Sequence, residues 1–381
     1  MDFSLTEEQT RFREEVLRFA EAELNDDLIR RDADGTFSRE AWKKCAALGI
    51  QGMPVPQEYG GLAADPLTIM IAMEALGYGC RDNGLLFSLN AQMWSCEVPL
   101  VKFGTEEQKR RYLPGLCDGS LIGVQAMTEP ESGSDAFALR TTAVKKDGVY
   151  VLNGSKTFVT NAPLADVFVV FATADQARGS AAISAFLVDA ETPGLSRGRP
   201  FDKMGLRTSP MSEVALSDCE VPEEGLLGRP YAGMAIFNSS MQWERACILG
   251  TTVGTMERLL ERSISHARSR RQFGKSIGKF QGVSHRIADM KVRLECARLL
   301  LYRLGWLMNE GRASPLDSAM TKVFLSESLV QTSLDALQIH GGYGYMREYE
   351  LEREVRDAIA GRIYSGTSEI QRNIIAGFLG L

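Results

Sequence analysis

Only three histidines occur in the 381 residues, at positions 266, 285 and 340. None stands at metal-ligand spacing from another or from a cysteine, so no metal site is expected. The seven cysteines (45, 80, 96, 117, 219, 247 and 296) are scattered, odd in number and never form Cys-x-x-Cys. They read as reduced, mostly buried thiols rather than a disulfide framework. Apolar runs are short, well below the ~18 residues that a membrane helix needs. Basic charge is not in excess: 43 Lys and Arg face 49 Asp and Glu, for a net charge of −6. A nucleic-acid binder would show the opposite balance, usually as a basic stripe. The opening MDFSLTEEQTRFREE has no basic segment followed by an apolar run. No signal peptide is expected, and the chain is placed in the cytoplasm.

What is present is a soluble, multidomain composition. Hydrophobic residues make up 44% and charged residues 24%, as in ordinary globular proteins. The length exceeds the ~250–300 residues at which one core stops growing, so two or three domains are expected. Residues 1–120 read as helices. Leu5, Phe12, Val16, Phe19 and Ala20 recur at helical spacing behind a capping-box-like Thr6-x-x-Gln9. PLTIMIAMEALGYG (66–79) and LLFSLNAQMWSCEVPLVKFG (85–104) are apolar on too many sides to be surface helices. FGTEEQKRRYL (103–113) adds a capped, charged helix.

From about residue 121 the period changes. GVYVLNGSKTFVTNA (148–162) alternates in the strand manner, with an Asn-Gly turn signal at 153–154. DVFVVFATA, SAFLVDA and MSEVALSDCEV follow as short strands between turn residues. Residues 121–230 are therefore expected to form a compact antiparallel β domain. Residues 231–381 return to helix and predict a four-helix bundle, beginning with one long helix over AGMAIFNSSMQWERACILGTTVGTMERLLERSISHARSR. The fold class is α+β.

Nucleotide loops of the common kinds are missing. FGKSIGKF has too few residues between its glycines for a P-loop, and HGGYGYM does not supply G-x-G-x-x-G in a β-α-β unit. QAMTEPESGSDAF (125–137) and FVTNA (158–162) offer hydroxyls and turn backbone to a ligand. On composition alone each reads first as an ordinary polar loop.

Six stretches in order along the chain change that weighting. AMTEPESGSD, NGSKTFVTNA, KMGLRTSP, RRQFGKSIGKFQ, QIHGGYGYMREY and IYSGTSEIQRN resemble successive motifs of the acyl-CoA dehydrogenase family. The resemblance spans nearly the whole chain and implies that family's N-terminal all-helical domain, middle antiparallel β-barrel domain and C-terminal four-helix bundle. It further implies FAD as cofactor and an acyl thioester as substrate, with an electron-transfer flavoprotein or oxygen as acceptor. By position, Gln125, Met127, Thr128, Phe158 and Thr160 match residues that bind or line the flavin ring. The family commonly has Trp where Phe158 stands, so stacking is kept and an N–H is lost. Arg270, Phe273 and Gln281 match residues reaching the FAD of a neighbouring subunit, which implies a homotetramer or homodimer. Gln338, Gly341 and Gly342 match the adenine-side loop, and Thr367 and Glu369 match cofactor contacts near the C-terminus. Ser134, Arg245, Tyr364 and Ser365 match substrate-side positions, Ser134 toward a pantetheine arm.

One residue is missing from that pattern. The family's usual last motif reads Tyr-Glu-Gly-Thr, its Glu being the catalytic base, whereas this chain has Ser365 there. Glu244, in the largely apolar IFNSSMQWERACILG, is the candidate replacement. Partial burial of a carboxylate raises its pKa, which suits a base. From its surroundings in sequence it reads equally as half of a buried ion pair between helices. The resemblance favours the base: isovaleryl-CoA and long-chain acyl-CoA dehydrogenases lack the loop Glu and carry theirs in a Leu-Glu-Arg stretch at this position.

Two readings of the substrate stay open. The main one is a short or branched acyl-CoA. RDNGLLFSLNA, TNAPLADVF and SSMQWER also resemble flavoenzymes of secondary metabolism that oxidise prolyl or acyl groups on a carrier protein. A third reading, of another class, is a base-less protein that binds flavin or acyl groups without catalysis.

Overall fold

The computed structural model describes residues 4–381. Seven α-helices open the chain: α1 (Glu7–Glu23), α2 (Leu28–Asp34), α3 (Arg39–Ala47), α4 (Pro66–Gly79), α5 (Asn83–Gln92), α6 (Val98–Phe103) and α7 (Glu106–Cys117). The capping boxes at Thr6/Gln9 and Thr105/Gln108 are both formed, each satisfying two backbone donors that a helix start leaves free. α4 is buried over almost its whole length, packed between α1, α9 and α10, as its all-round apolar sequence requires.

The apolar stretch 85–104 is not one helix. A π-helical turn, Met93–Glu97, separates α5 from α6. Its cause is Pro99: proline has no N–H for the carbonyl four residues back, and its ring clashes there. The turn widens instead, and Val98 N–H bonds the Met93 carbonyl. Ser95, whose carbonyl is thereby freed, becomes part of the site described below.

The middle domain contains β1 (Gly123–Ala126), β2 (Thr142–Lys146), β3 (Val149–Thr160), β4 (Val167–Thr173), β5 (Ile183–Asp189), β6 (Leu195–Arg197), β7 (Met211–Pro222) and β8 (Leu226–Leu227). They run in the order β6-β7-β3-β2-β4-β5-β8, with β1 beside β4. Most pairs are antiparallel, as expected, but β1 lies parallel to β4, and β2 meets β4 through one parallel pair. β4 is buried at every position, which explains why it reads as a continuous apolar run rather than an alternation. The turn expected at Asn153–Gly154 is not a turn. Those residues lie inside β3 at an irregularity against β7, and the Asn153 side chain bonds Asp218 instead. The β2–β3 hairpin turns at Asp147–Gly148, both with positive φ, the backbone that a tight two-residue hairpin favours.

The C-terminal domain holds α8 (Gly233–Cys247), α9 (Gly250–Ser269), a hairpin of β9 (Arg271–Gln272) and β10 (Lys275–Ser276), then α10 (Gln281–Asn309), α11 (Pro315–His340), α12 (Leu351–Ala360) and α13 (Ser368–Phe378). The single long helix expected over 232–270 is two. It breaks at Ile248–Leu249, where the Thr252 hydroxyl and N–H both bond the Leu249 carbonyl. The apolar pattern runs unbroken through the break, so periodicity does not reveal it. The break leaves Glu244 in the last turn of a helix.

Candidate active site

A cleft of about 660 Å³ opens where α8, the β1 and β3 ends of the sheet and the 363–367 loop meet. α8 contributes Phe237, Met241, Glu244 and Arg245, with Ile248 just beyond its end. That spacing is one face of a helix. From the β domain come Gln125, Met127, Thr128, Ser134, Phe158 and Thr160. From the C-terminal loop come Tyr364, Ser365 and Thr367. Eleven of these are predicted residues, and they meet in one place although they span 243 positions of sequence, from 125 to 367.

Glu244 lies at the inner wall, only 9% exposed. Ser365 Oγ donates to Oε1, and Ser95 Oγ donates to Oε2 at 2.6 Å. Burial pushes the carboxyl up; the two hydroxyls, then the charges of Arg245 and Lys322, pull it part of the way back without cancelling the rise. Placement in the last helical turn, near the negative end of the dipole, acts in the same direction as burial. Arg245 does not pair with Glu244: its Nε donates to the Ser365 carbonyl at 3.2 Å. The structure therefore gives Glu244 hydroxyl partners, not the interhelical ion pair of the alternative reading.

Glu129 is the second carboxylate lining the cleft, and it is held in the opposite way. It accepts from Lys156 Nζ at 2.7 Å, Arg140 N at 2.6 Å and Thr141 N at 3.0 Å. Burial alone would raise its pKa, but the Lys156 charge and these bonds hold it below the ordinary carboxylate range. The surroundings thus push the two carboxylates in opposite directions: Glu129 bonds a cation and two backbone N–H groups, whereas Glu244 bonds two neutral hydroxyls in a drier setting. Lys156 Nζ also donates to the Met127 carbonyl at 3.2 Å, and Thr157 N bonds the Thr128 carbonyl at 2.9 Å. The pair thus pins the Met127–Thr128 segment against β3.

Phe158 sits where the β3–β7 register shifts, with φ +54°. A bulge of this kind re-aims a side chain, and a positive φ at an aromatic residue costs energy that packing must offset. The residue is 63% exposed, and its ring lies 5.6 Å from that of Phe201. Met204 and Ile363, also in the cleft wall, are 60% and 63% exposed. Apolar surface is thus left open along the cleft wall.

The 364–367 loop is held from three sides. Lys322 Nζ donates to the Gly366 carbonyl, Gln371 Nε2 to the Ser365 and Gly366 carbonyls, and Arg245 to Ser365. Ser365 and Gly366 both have positive φ. Thr367 also has a local duty, capping α13 by accepting from Ile370 N. The Tyr364 ring packs at a tilt against Phe87, ring centroids 4.7 Å apart.

Seven predicted residues do not line the cleft. Glu369 lies on the exposed first turn of α13 beside Arg372. Arg270, Phe273, Gln281, Gln338, Gly341 and Gly342 are exposed elsewhere in the C-terminal domain. The Arg270 guanidinium lies 5.6 Å over the Tyr343 ring, and His266 stacks on His340 at 4.2 Å. These contacts tie the end of α9 to the 341–345 turn. Phe273 is 92% exposed.

The residues that sequence reasoning missed are Ser95, Glu129, Lys156 and Lys322. Pro99 inside an apolar helical run was the available signal for Ser95. Glu129 and Lys156 stand within the quoted TEP and GSK stretches, but a buried lysine gives no pattern of its own.

Comparison with known proteins places the chain in a family. The N-terminal, middle and C-terminal domains of acyl-CoA dehydrogenase match residues 6–120, 124–219 and 231–380. This chain belongs to the acyl-CoA dehydrogenase family. Among its relatives, the L-prolyl-(peptidyl-carrier protein) dehydrogenase of Serratia sp. is 44% identical over 381 residues, covering 100% of this chain and 99% of that protein. The crystal structure of the prolyl acyl carrier protein oxidase AnaB is 50% identical with a TM-score of 0.98, covering 99% of this chain and 100% of that one. The structure of PigA with FAD and proline is 44% identical with a TM-score of 0.98, covering all of both chains.

Proposed function

We propose that this protein is an FAD-dependent dehydrogenase that removes hydrogen from Cα and Cβ of an acyl thioester, with Glu244 as base. The relatives shift the weight between the two substrate readings. They favour a prolyl or similar acyl group on a carrier protein over the short or branched acyl-CoA that stood first in the sequence reading. The observation that carries the proposal is Glu244 itself: the cleft's one carboxylate with a raised pKa, beside the loop position where family members usually carry the base.

The cleft residues fit a flavin. An exposed Phe158 ring with exposed Met204 and Ile363 offers apolar surface to a flat ring system, and Gln125, Met127, Thr128 and Thr160 supply polar and backbone groups beside it. When bound, FAD supplies the acceptor for the β-hydride. The chain's own part is to bind, exclude water and move the α-proton. Glu244 takes that proton, and the dry wall of Met241, Ile248 and Tyr364 keeps the carboxylate basic. Arg245 and Lys322 fix the loop opposite the base. Ser134, exposed on the 130–140 loop, is placed to meet the arm of the thioester.

We further infer a homodimer or homotetramer. Arg270, Phe273, Gln281, Gln338, Gly341 and Gly342 are exposed and lie outside the cleft, as residues would that serve a cofactor in another subunit. The electron acceptor is an electron-transfer flavoprotein or oxygen. One relative is named a dehydrogenase and another an oxidase, and peroxide release in aerobic turnover separates the two. A non-catalytic role is disfavoured by a buried carboxylate poised at the cleft.

Anaerobic mixing of the yellow protein with prolyl-loaded carrier protein, and separately with short and branched acyl-CoAs, tests the reading. Flavin bleaching is expected with the carrier-bound prolyl group and not with free proline. Bleaching by acyl-CoAs alone would restore the first substrate reading, and no bleaching by any thioester would overturn the enzymatic one.

A further inference from the structure

Glu244 is held by two hydroxyls from two unrelated elements, and this arrangement is built rather than incidental. Ser95 is 6% exposed and lines the cleft. Its hydroxyl, carried on the π-turn Met93–Glu97, donates to Glu244 Oε2 at 2.6 Å. The turn is anchored on both sides of Ser95. Pro99 withholds the donor that would close a normal helical turn on the Ser95 carbonyl. That carbonyl instead accepts from Gln125 Nε2 at 3.2 Å, and the same amide donates to Ser240 Oγ at 3.2 Å. Ser240 Oγ in turn donates to the Trp94 carbonyl at 3.1 Å. The π-turn, β1 and α8 are thus tied together around the carboxylate. Ser365, on the clamped loop, takes the other oxygen.

We propose that Ser95 is a positioning residue for the base: with Ser365 it forms a two-hydroxyl cradle that orients the Glu244 carboxylate and keeps it ionised in a dry site. This rests on the reading of Glu244 as base. A buried carboxylate with no donors would hold its proton and could not accept another. Hydrogen bonds to the charged form favour that form, and bonds to charged groups are the stronger kind. Serine suits the task because a hydroxyl donates without adding a charge. Lysine or arginine in the same place would fix the carboxylate as an inert anion, as Lys156 does for Glu129. The other ionisable groups facing Glu244 are Arg245 on α8, Lys322 on α11 and the Tyr364 phenol on the loop. Burial and the nearby Arg245 lower the Lys322 pKa to about 8, so the informative window lies below that pH.

The test is Ser95→Ala in the FAD-loaded protein, with anaerobic flavin reduction followed between about pH 5.5 and 7.5. The rate at the acid end should fall about 10- to 100-fold, the loss of one hydrogen bond to a charged group. It should recover toward wild type as the pH rises, with KM little changed. Ser95→Thr, which keeps the hydroxyl, should restore most of the acid-end rate. A second readout needs no turnover. In infrared difference spectra of the protein, the protonated carboxyl band that disappears in Glu244→Gln should persist to higher pH in Ser95→Ala. A profile and a carboxyl titration that superimpose on wild type, or a loss uniform across pH and not rescued by Thr, would overturn the cradle. Failure of the underlying reading looks different: wild type itself would not reduce flavin, or Glu244→Gln would do so as fast as wild type.

Discussion

Replacing Glu244 by Gln removes the proton acceptor while changing little else. Gln keeps one oxygen to accept from a serine, and its amide can donate to the other serine hydroxyl, which rotates to accept. No buried charge is stranded, because the partners are hydroxyls rather than a cation. Flavin content and melting behaviour should therefore match wild type. The lost general base costs a factor of about 10² to 10⁴, or roughly 2.7 to 5.4 kcal/mol at 1.36 kcal/mol per decade. The upper half is expected, because the cleft offers no second proton acceptor. Glu129 has its acceptors occupied by Lys156 and two backbone N–H groups. Burial and nearby carboxylates raise the Tyr364 phenol. Stopped-flow measurement of flavin bleaching under anaerobic conditions gives the rate directly. Because Ser365 touches Glu244, Glu244→Gly combined with Ser365→Glu should return part of the activity. Recovery should stay incomplete, since a shift of about 1 Å can cost on the order of 10²-fold. Bleaching at close to the wild-type rate in Glu244→Gln would refute the assignment.

Lys156→Met would leave Glu129 buried without its cation, so chemical denaturation should show a loss of about 3–5 kcal/mol, together with weaker FAD retention as Met127 loses its anchor; unchanged stability would mean that the pair is dispensable. Glu97, buried on the π-turn, has a carboxyl pushed up to about 8 because burial outweighs its bond from Gln92. Between the ordinary carboxylate range and pH 8 the folded chain holds a proton that the unfolded chain has released, so this contribution to stability is complete below that range and lost as pH rises through about 8. Thermal melts of Glu97→Gln should accordingly be flatter than wild type between pH 5 and 9, and parallel curves would contradict the sign. Arg270→Ala should lower FAD occupancy without altering the Glu244 site, read as the flavin-to-protein absorbance ratio beside the mass of the assembly; full occupancy in an isolated monomer would remove the case for a shared site.

The sequence by itself determined the element types where burial is one-sided or complete. α4 is apolar all round and is buried; β4 is a continuous apolar run and sits inside the sheet; the Thr6 and Thr105 capping boxes start helices where their local chemistry says. It also marked the residues that converge on the cleft, because Glu244, Ser365 and the TEPESGSD and KTFVTNA stretches belong to family motifs. Tertiary structure decided what local pattern cannot encode. The break after Glu244 lies in an unbroken apolar period, and only packing and the Thr252 hydroxyl reveal it. Asn153–Gly154 has turn chemistry but lies inside a strand, because the Asn153 side chain is taken by Asp218 and the hairpin closes earlier at Asp147–Gly148. Above all, the surroundings of the carboxylates arise from elements far apart in the chain. Glu129, on the loop after β1, meets Lys156 of β3, while Glu244 of α8 meets Ser95 on the π-turn that precedes Pro99. A side chain's type is local, but its pKa is set by what lies within a few ångströms in three dimensions, and that is why the candidate base could be named from sequence while the hydroxyls that bond it could not.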